Sequence, residues 1–135
     1  MTDPVAAARR WLGTPFVHRA SCRGAGADCL GLVRGLWRDC LGAEPAPVPP
    51  YGPGEGDPWP ALARHLAPGT GQPGDILLFR VQPGAPARHL GIASGPATFI
   101  HAWRGHGVVE TRLSGPWARR VVARFGFFPV LFIKE

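Results

Sequence analysis

The chain has 135 residues, the length of one domain, with 45% apolar and 18% charged residues. That composition excludes a charge-driven disordered chain and is enough for a core without disulfide staples. The net charge of +6, 15 basic against 9 acidic residues, favours anionic partners without choosing among nucleic acid, acidic peptide or glycan, and an anionic surface.

Thr2 or Asp3 caps a first helix over residues 4–12, with Pro4 in its first turn and Gly13 as its stop. Residues 13–27 read as a loop. From Asp28 to Leu41 the apolar residues Leu30, Val33, Leu36, Trp37, Cys40 and Leu41 fall on one helical stripe, and Gly42 ends it. Gly31 and Gly35 cost this helix stability, so their spacing marks close packing against its backbone. Residues 43–60 hold seven prolines and read as an extended surface loop within one domain spanning residues 1–135. A short helix over 58–67 follows, with Trp59, Leu62 and Leu66 on one face. Strands are expected over 75–81, 89–94, 98–103 and 107–113, separated by glycine and proline turns. Residues 115–124 fit a short helix or a strand, and 125–133 is apolar enough to close the sheet. Helices first and an antiparallel meander after them give an α+β class.

The chemistry concentrates at Cys29, which opens the strongest helix. Free N–H groups and the helix dipole favour a thiolate there, and a lowered pKa makes a nucleophile. A thiol nucleophile needs a base. His89 and His101 sit on neighbouring expected strands, where one imidazole can take the proton and the other orient it. The bland alternatives are a small buried cysteine and a half-buried strand histidine. Cys22, Cys29 and Cys40 cannot all pair within one chain, and free thiols fit a cytoplasmic protein. The first residues lack the long apolar run of a signal peptide, and no stretch approaches the ~18 apolar residues of a membrane span.

Four blocks in order resemble the NlpC-type papain-like cell-wall endopeptidases. They are Leu12 to Phe16, Gly26 to Val33, Gly74 to Phe79, and His89 to Ala93 followed by Phe99 to Ala102. The resemblance implies a papain-like fold with N-terminal helices packed on an antiparallel sheet. It implies hydrolysis of a peptidoglycan stem-peptide bond, typically γ-D-glutamyl to a diamino acid, with no cofactor and no metal. Cys29 is then the nucleophile, His89 the base and acid, and His101 the orienting residue. The Cys29 N–H helps hold the oxyanion, and arginines near the cleft hold stem-peptide carboxylates. Phe16, His18, Ser21 and Asp28 are candidate substrate contacts, with Asp28 also shaping the turn.

The short form with Cys-Leu-Gly and a Pro-rich loop resembles the members carried by phage tails and gene transfer agents. This implies tail hub or tail-tip partners, and synthesis in the cytoplasm followed by action at the cell wall or periplasm. The chain departs from the family pattern at several positions, and its loop to Cys29 is about a residue longer. Phe16 stands where Tyr is usual, Leu30 where Ser is usual, and Arg19-Ala20 where Gly-Gly is common.

Rival readings are a metal site, nucleic-acid binding, a tail-tip adaptor with little activity, and acyl transfer on the same triad. The cysteine spacing has no C-x-x-C pair, and no nucleic-acid motif or concentrated basic helix is visible, so no specific nucleic-acid partner is expected.

Overall fold

The computed structural model describes residues 3–52, 60 and 63–129. Asp3 caps α1 (Pro4–Arg9), its carboxylate accepting from the Val5 and Ala6 N–H groups. The helix ends earlier than the expected residue 12. Trp11 turns inward to donate its indole N–H to Asp39 at 2.9 Å, and Gly13, at φ +87°, swings the chain toward the sheet. Part of the expected 13–27 loop is ordered as a small hairpin of β1 (Ser21–Cys22) and β2 (Gly26–Ala27). The pattern was hidden because each strand is two residues long.

Helix α2 (Cys29–Leu41) forms where the periodicity puts it. The Asp28 carboxylate accepts from the Gly31 N–H at 2.7 Å, and Gly42 closes it in the left-handed conformation at φ +82°. The two helical glycines have the expected purpose. A side chain on Gly31 would meet the Ala20 carbonyl, and one on Gly35 would meet the Trp11 ring. Residues 53–59 of the Pro-rich segment lie outside the described residues, and residues 43–52 are less superficial than a surface loop. Glu44 ties its start to Arg34 and Arg38 of α2, and Ala46, Val48 and Tyr51 pack against the core. Of the helix expected over 58–67, Pro58, Trp59, Ala61 and Leu62 lie outside the described residues, and Pro60 and Ala63 are helical. Its described end, Leu66, begins a strand instead.

Among the described residues six strands form one antiparallel sheet. They are β3 (Leu66–Pro68), β4 (Ile76–Phe79), β5 (His89–Gly95), β6 (Thr98–Trp103), β7 (Gly107–Arg112) and β8 (Val121–Pro129). Four run as the expected meander from β4 to β7, while β8 returns to lie between β3 and β4. A one-turn helix, α3 (Pro116–Arg119), precedes β8, so the ambiguous 115–124 region is helix and then strand. Residues 130–133 of the expected closing segment lie outside the described residues.

Alternation along the strands divides the core. Ile76, Leu78, Leu90, Ile92, Ile100 and Ala102 face α1 and α2. Leu77, Phe79, Ala93 and Phe99 face the other way and are covered by Leu113, Trp117 and Val121. Asp75 is buried at the entry to β4. Burial pushes its carboxyl upward, but hydrogen bonds from Thr70, Arg124 and the Gly71 N–H outweigh this and hold it below the usual range. Its block therefore fastens the turn before β4 to β8 rather than serving the cleft.

Candidate active site

Cys29 is the first residue of α2, and His89 the first of β5. Both line one cleft of about 350 Å³, together with Phe16, Val81, Arg88, Trp103 and Arg104. The Cys29 Sγ lies 3.8 Å from the Arg88 carbonyl, the residue before His89, so the thiol meets the sheet where β5 begins. Adjacent antiparallel strands bring the two histidines together. His89 Nε2 is 2.7 Å from His101 Nδ1, and His101 Nε2 is 2.9 Å from Thr111 Oγ1 on β7. The remaining nitrogen of His89, Nδ1, is the one left for the thiol.

The histidines are enclosed by rings. Phe79, Trp103 and Trp117 stand 5.1–5.7 Å from His89 between ring centroids. Phe99, Trp103 and Trp117 stand 4.4–5.7 Å from His101. Removal from water disfavours the imidazolium in both. Burial, with His101 adding to it, lowers His89 to about 3; burial, with His106 adding to it, lowers His101 to about 4.

The thiol departs from expectation. Burial pushes Cys29 up to about 11, with the Asp28 charge adding to the rise. Hydrogen bonds from the Leu90, Leu30 and Cys29 N–H groups oppose this but do not overcome it. The helix start does favour a thiolate, as its position suggests, and desolvation is the larger effect. These shifts favour a neutral thiol and neutral imidazoles in the unliganded site.

The four candidate substrate contacts divide. Phe16 lines the cleft, with the Arg104 guanidinium 5.2 Å from its ring centroid. Asp28 does not line it. It is buried, and besides capping α2 it accepts from the Arg19 N–H at 2.7 Å and the Tyr51 hydroxyl at 2.8 Å. Ser21 is turned toward α2, its hydroxyl donating to the Gly31 carbonyl and accepting from Arg38. Both are occupied by the fold, with partners such as Arg38 and Tyr51 that lie far along the chain. His18 sits outside the cleft, half-exposed, beside Tyr51 and 3.8 Å from the Asp28 carboxylate.

Three residues of the site carry no motif signal: Thr111, Trp103 and Trp117. Thr111 follows from the hairpin register, since Phe99 pairs with Thr111 and His101 with Val109. Among the described residues no group of three or more His, Cys, Asp or Glu side chains is placed to hold a metal ion. Nor is any described helix long and apolar enough to cross a membrane.

No family model matches the chain. It is 31% identical over 107 residues to the gamma-DL-glutamyl hydrolase of Bacillus subtilis, covering 79% of this chain and 24% of that protein. It is also 31% identical over 121 residues to the murein DD-endopeptidase MepS/murein LD-carboxypeptidase of Escherichia coli, covering 84% of this chain and 59% of that one. The chain thus spans about a quarter of one curated relative and under two-thirds of the other. Among solved structures, it superposes on the NlpC/p60 domain of the peptidoglycan hydrolase SagA with a TM-score of 0.60 and 26% identity, over 82% of this chain and 87% of that one. The chain carries the α+β papain-like fold of the NlpC/P60 domains, and this similarity supports its placement in the NlpC/P60 family.

Proposed function

We propose that the chain is a cysteine endopeptidase that hydrolyses a peptidoglycan stem-peptide bond. The observation that carries the reading is the cleft shared by Cys29 and His89, continued by the His89–His101–Thr111 hydrogen bonds. The names of the relatives, a glutamyl hydrolase and a murein endopeptidase, support a hydrolase. For the bond cleaved we take the γ-D-glutamyl–diamino acid linkage; the first name fits a γ-glutamyl bond, while the second names DD and LD bonds.

In this mechanism His89 donates from Nε2 to His101 Nδ1, and His101 donates from Nε2 to Thr111. That tautomer leaves a lone pair on His89 Nδ1. As the Cys29 sulfur bonds to the substrate carbonyl carbon, its proton passes to His89. The Cys29 N–H faces the developing oxyanion. His89 then gives the proton to the departing amine as the C–N bond breaks, leaving a thioester. Water attacks the thioester carbonyl, losing a proton to His89, and the sulfur leaves and is reprotonated. Because both resting partners are neutral, the thiolate forms only as the bond to carbon is made. Arg88 and Arg104 line the cleft and supply cations for stem-peptide carboxylates.

We assign its delivery to a phage-like or gene transfer agent tail, which carries it from the cytoplasm to the wall. The Cys-Leu-Gly block and Pro-rich segment support that assignment. Mass spectrometry of purified particles checks it, and absence of the chain from them refutes it.

The test of the activity is a digest of purified Gram-negative sacculi, wild type beside Cys29→Ala, with the fragments identified by mass. New stem-peptide fragments from wild type alone are expected. Equal release by the variant overturns the mechanism.

A further inference from the structure

A second cleft lies beside the catalytic one. Strands β4 and β8 pair with Phe79 opposite Val121, and just beyond them the Arg80 N–H donates to the Arg120 carbonyl at 2.9 Å. This register gathers Arg80, Arg119 and Arg120 from two distant segments around an open cleft of about 430 Å³. Its other walls include Pro83, Pro116 and Val122, and among the described residues none that lines it is acidic. Among the described residues the ion pairs to carboxylates belong to other basic side chains: Arg9, His18, Arg34, Arg38 and Arg124. Three like charges around an apolar concavity concentrate positive potential in it.

The segment over 80–88 contributes to the walls of both clefts. Val81, Gln82, Ala85 and Pro86 line the catalytic side, while Arg80 and Pro83 line the other. Arg80 braces this segment, its Nε donating to the Ala85 carbonyl at 2.7 Å.

We propose that the Arg80–Arg119–Arg120 cleft is an accessory subsite that holds carboxylate groups of an acidic peptide strand linked to the one in the catalytic cleft. This rests on the reading of the chain as a peptidoglycan endopeptidase. Guanidinium groups suit carboxylates through paired N–H donors. Proline and valine walls suit short aliphatic peptide side chains. A single-stranded nucleic acid needs exposed rings on which bases stack, and among the described residues no aromatic one lines this cleft.

The experiment has a binding arm and a cleavage arm, both on the full chain. Arg119 is the residue to change, because it is exposed, whereas Arg120 lies over the Trp117 ring and Arg80 bonds to Ala85. In the Cys29→Ala background, fluorescein-labelled hexaglutamate and a labelled ten-nucleotide oligo-dT are titrated by anisotropy, with and without Arg119→Glu. In the active background, Arg119→Glu and Arg119→Lys are compared on sacculi and on a free soluble stem peptide.

Arg119→Glu is expected to weaken hexaglutamate binding about fivefold and to raise KM on sacculi by a similar factor, the size of one exposed ion pair. Turnover of the free peptide stays unchanged, and Arg119→Lys retains most of the binding. Unaltered hexaglutamate binding and sacculus digestion in Arg119→Glu overturn the subsite. Oligo-dT binding that depends on Arg119, with none for hexaglutamate, overturns the peptide in favour of a phosphate polymer. If the parent enzyme cleaves nothing, the endopeptidase reading fails, and the anisotropy arm still decides whether this cleft takes carboxylates.

Discussion

The Cys29 sulfur lies in the first turn of α2, where amide N–H groups and the helix dipole pull toward a thiolate. Enclosure by protein pulls the other way and is stronger, leaving the thiol at about 11 beside an imidazole held down to about 3. Both shifts disfavour an ion pair between them in the resting state. The consequence is measurable by alkylation. At pH 7, iodoacetamide is expected to label exposed Cys22 faster than Cys29, and the Cys29 rate should climb only as pH approaches 11. Peptide mapping by mass gives the two rates. Preferential labelling of Cys29 at pH 7, with a limb near pH 4, would show a preformed ion pair. The helix start was visible in the sequence, but the approach of the Arg88 carbonyl to the sulfur was not, because it comes from a segment 59 residues away.

Helix α3 is a single turn, yet it sets Trp117 against Phe79, His89, Phe99, His101 and Trp103. Trp117 touches no reacting atom in the proposed mechanism; it is a positioning residue that keeps water from the histidine pair. Trp117→Ala should admit water, raise both imidazoles toward their ordinary value and move the acid limb of kcat/KM up from near pH 4. With that limb near pH 6, kcat/KM at pH 5 falls about tenfold relative to pH 8, while Trp117→Phe holds the original profile. An unshifted limb in Trp117→Ala would remove this role.

At this scale the sequence is readable where structure is local. Asp28 and Gly42 bracket α2, and short turns set β5, β6 and β7 in register, so the His89–His101 pairing follows from strand alternation. It is opaque where partners are distant. The return of β8 between β3 and β4 is a non-local pairing that no turn announces. Asp28 and Ser21 look available until Tyr51 and Arg38 are seen to occupy them. Trp117 belongs to no motif and gains its place only from that returning strand.

Across the whole molecule, the enclosed histidines give folding stability a distinct pH dependence. In the unfolded chain each titrates near 6.5, while in the fold burial lowers them to about 3 and about 4. Above pH 6.5 neither state holds the extra protons, and their contribution is fully present. Between 6.5 and 4 the unfolded chain binds protons that the fold refuses, so stability falls as pH falls. The limiting slope is about 1.4 kcal/mol per pH unit for each histidine, hence up to about 2.7 for the pair. Asp75, with its folded pKa lowered from 3.8, loses its contribution only at still lower pH. Glu44 and Glu110, lowered from 4.5 in the fold, add to the fall only at the bottom of the histidine window. A domain with a total stability of about 5–15 kcal/mol should therefore unfold in mild acid. Urea denaturation at pH 7.5, 6 and 5 measures the slope. His101→Gln, which removes one titrating ring, should cut it by about half. A flat profile from pH 7 to 5 would mean that the fold accommodates both imidazolium ions, and that the ring cage does not exclude charge.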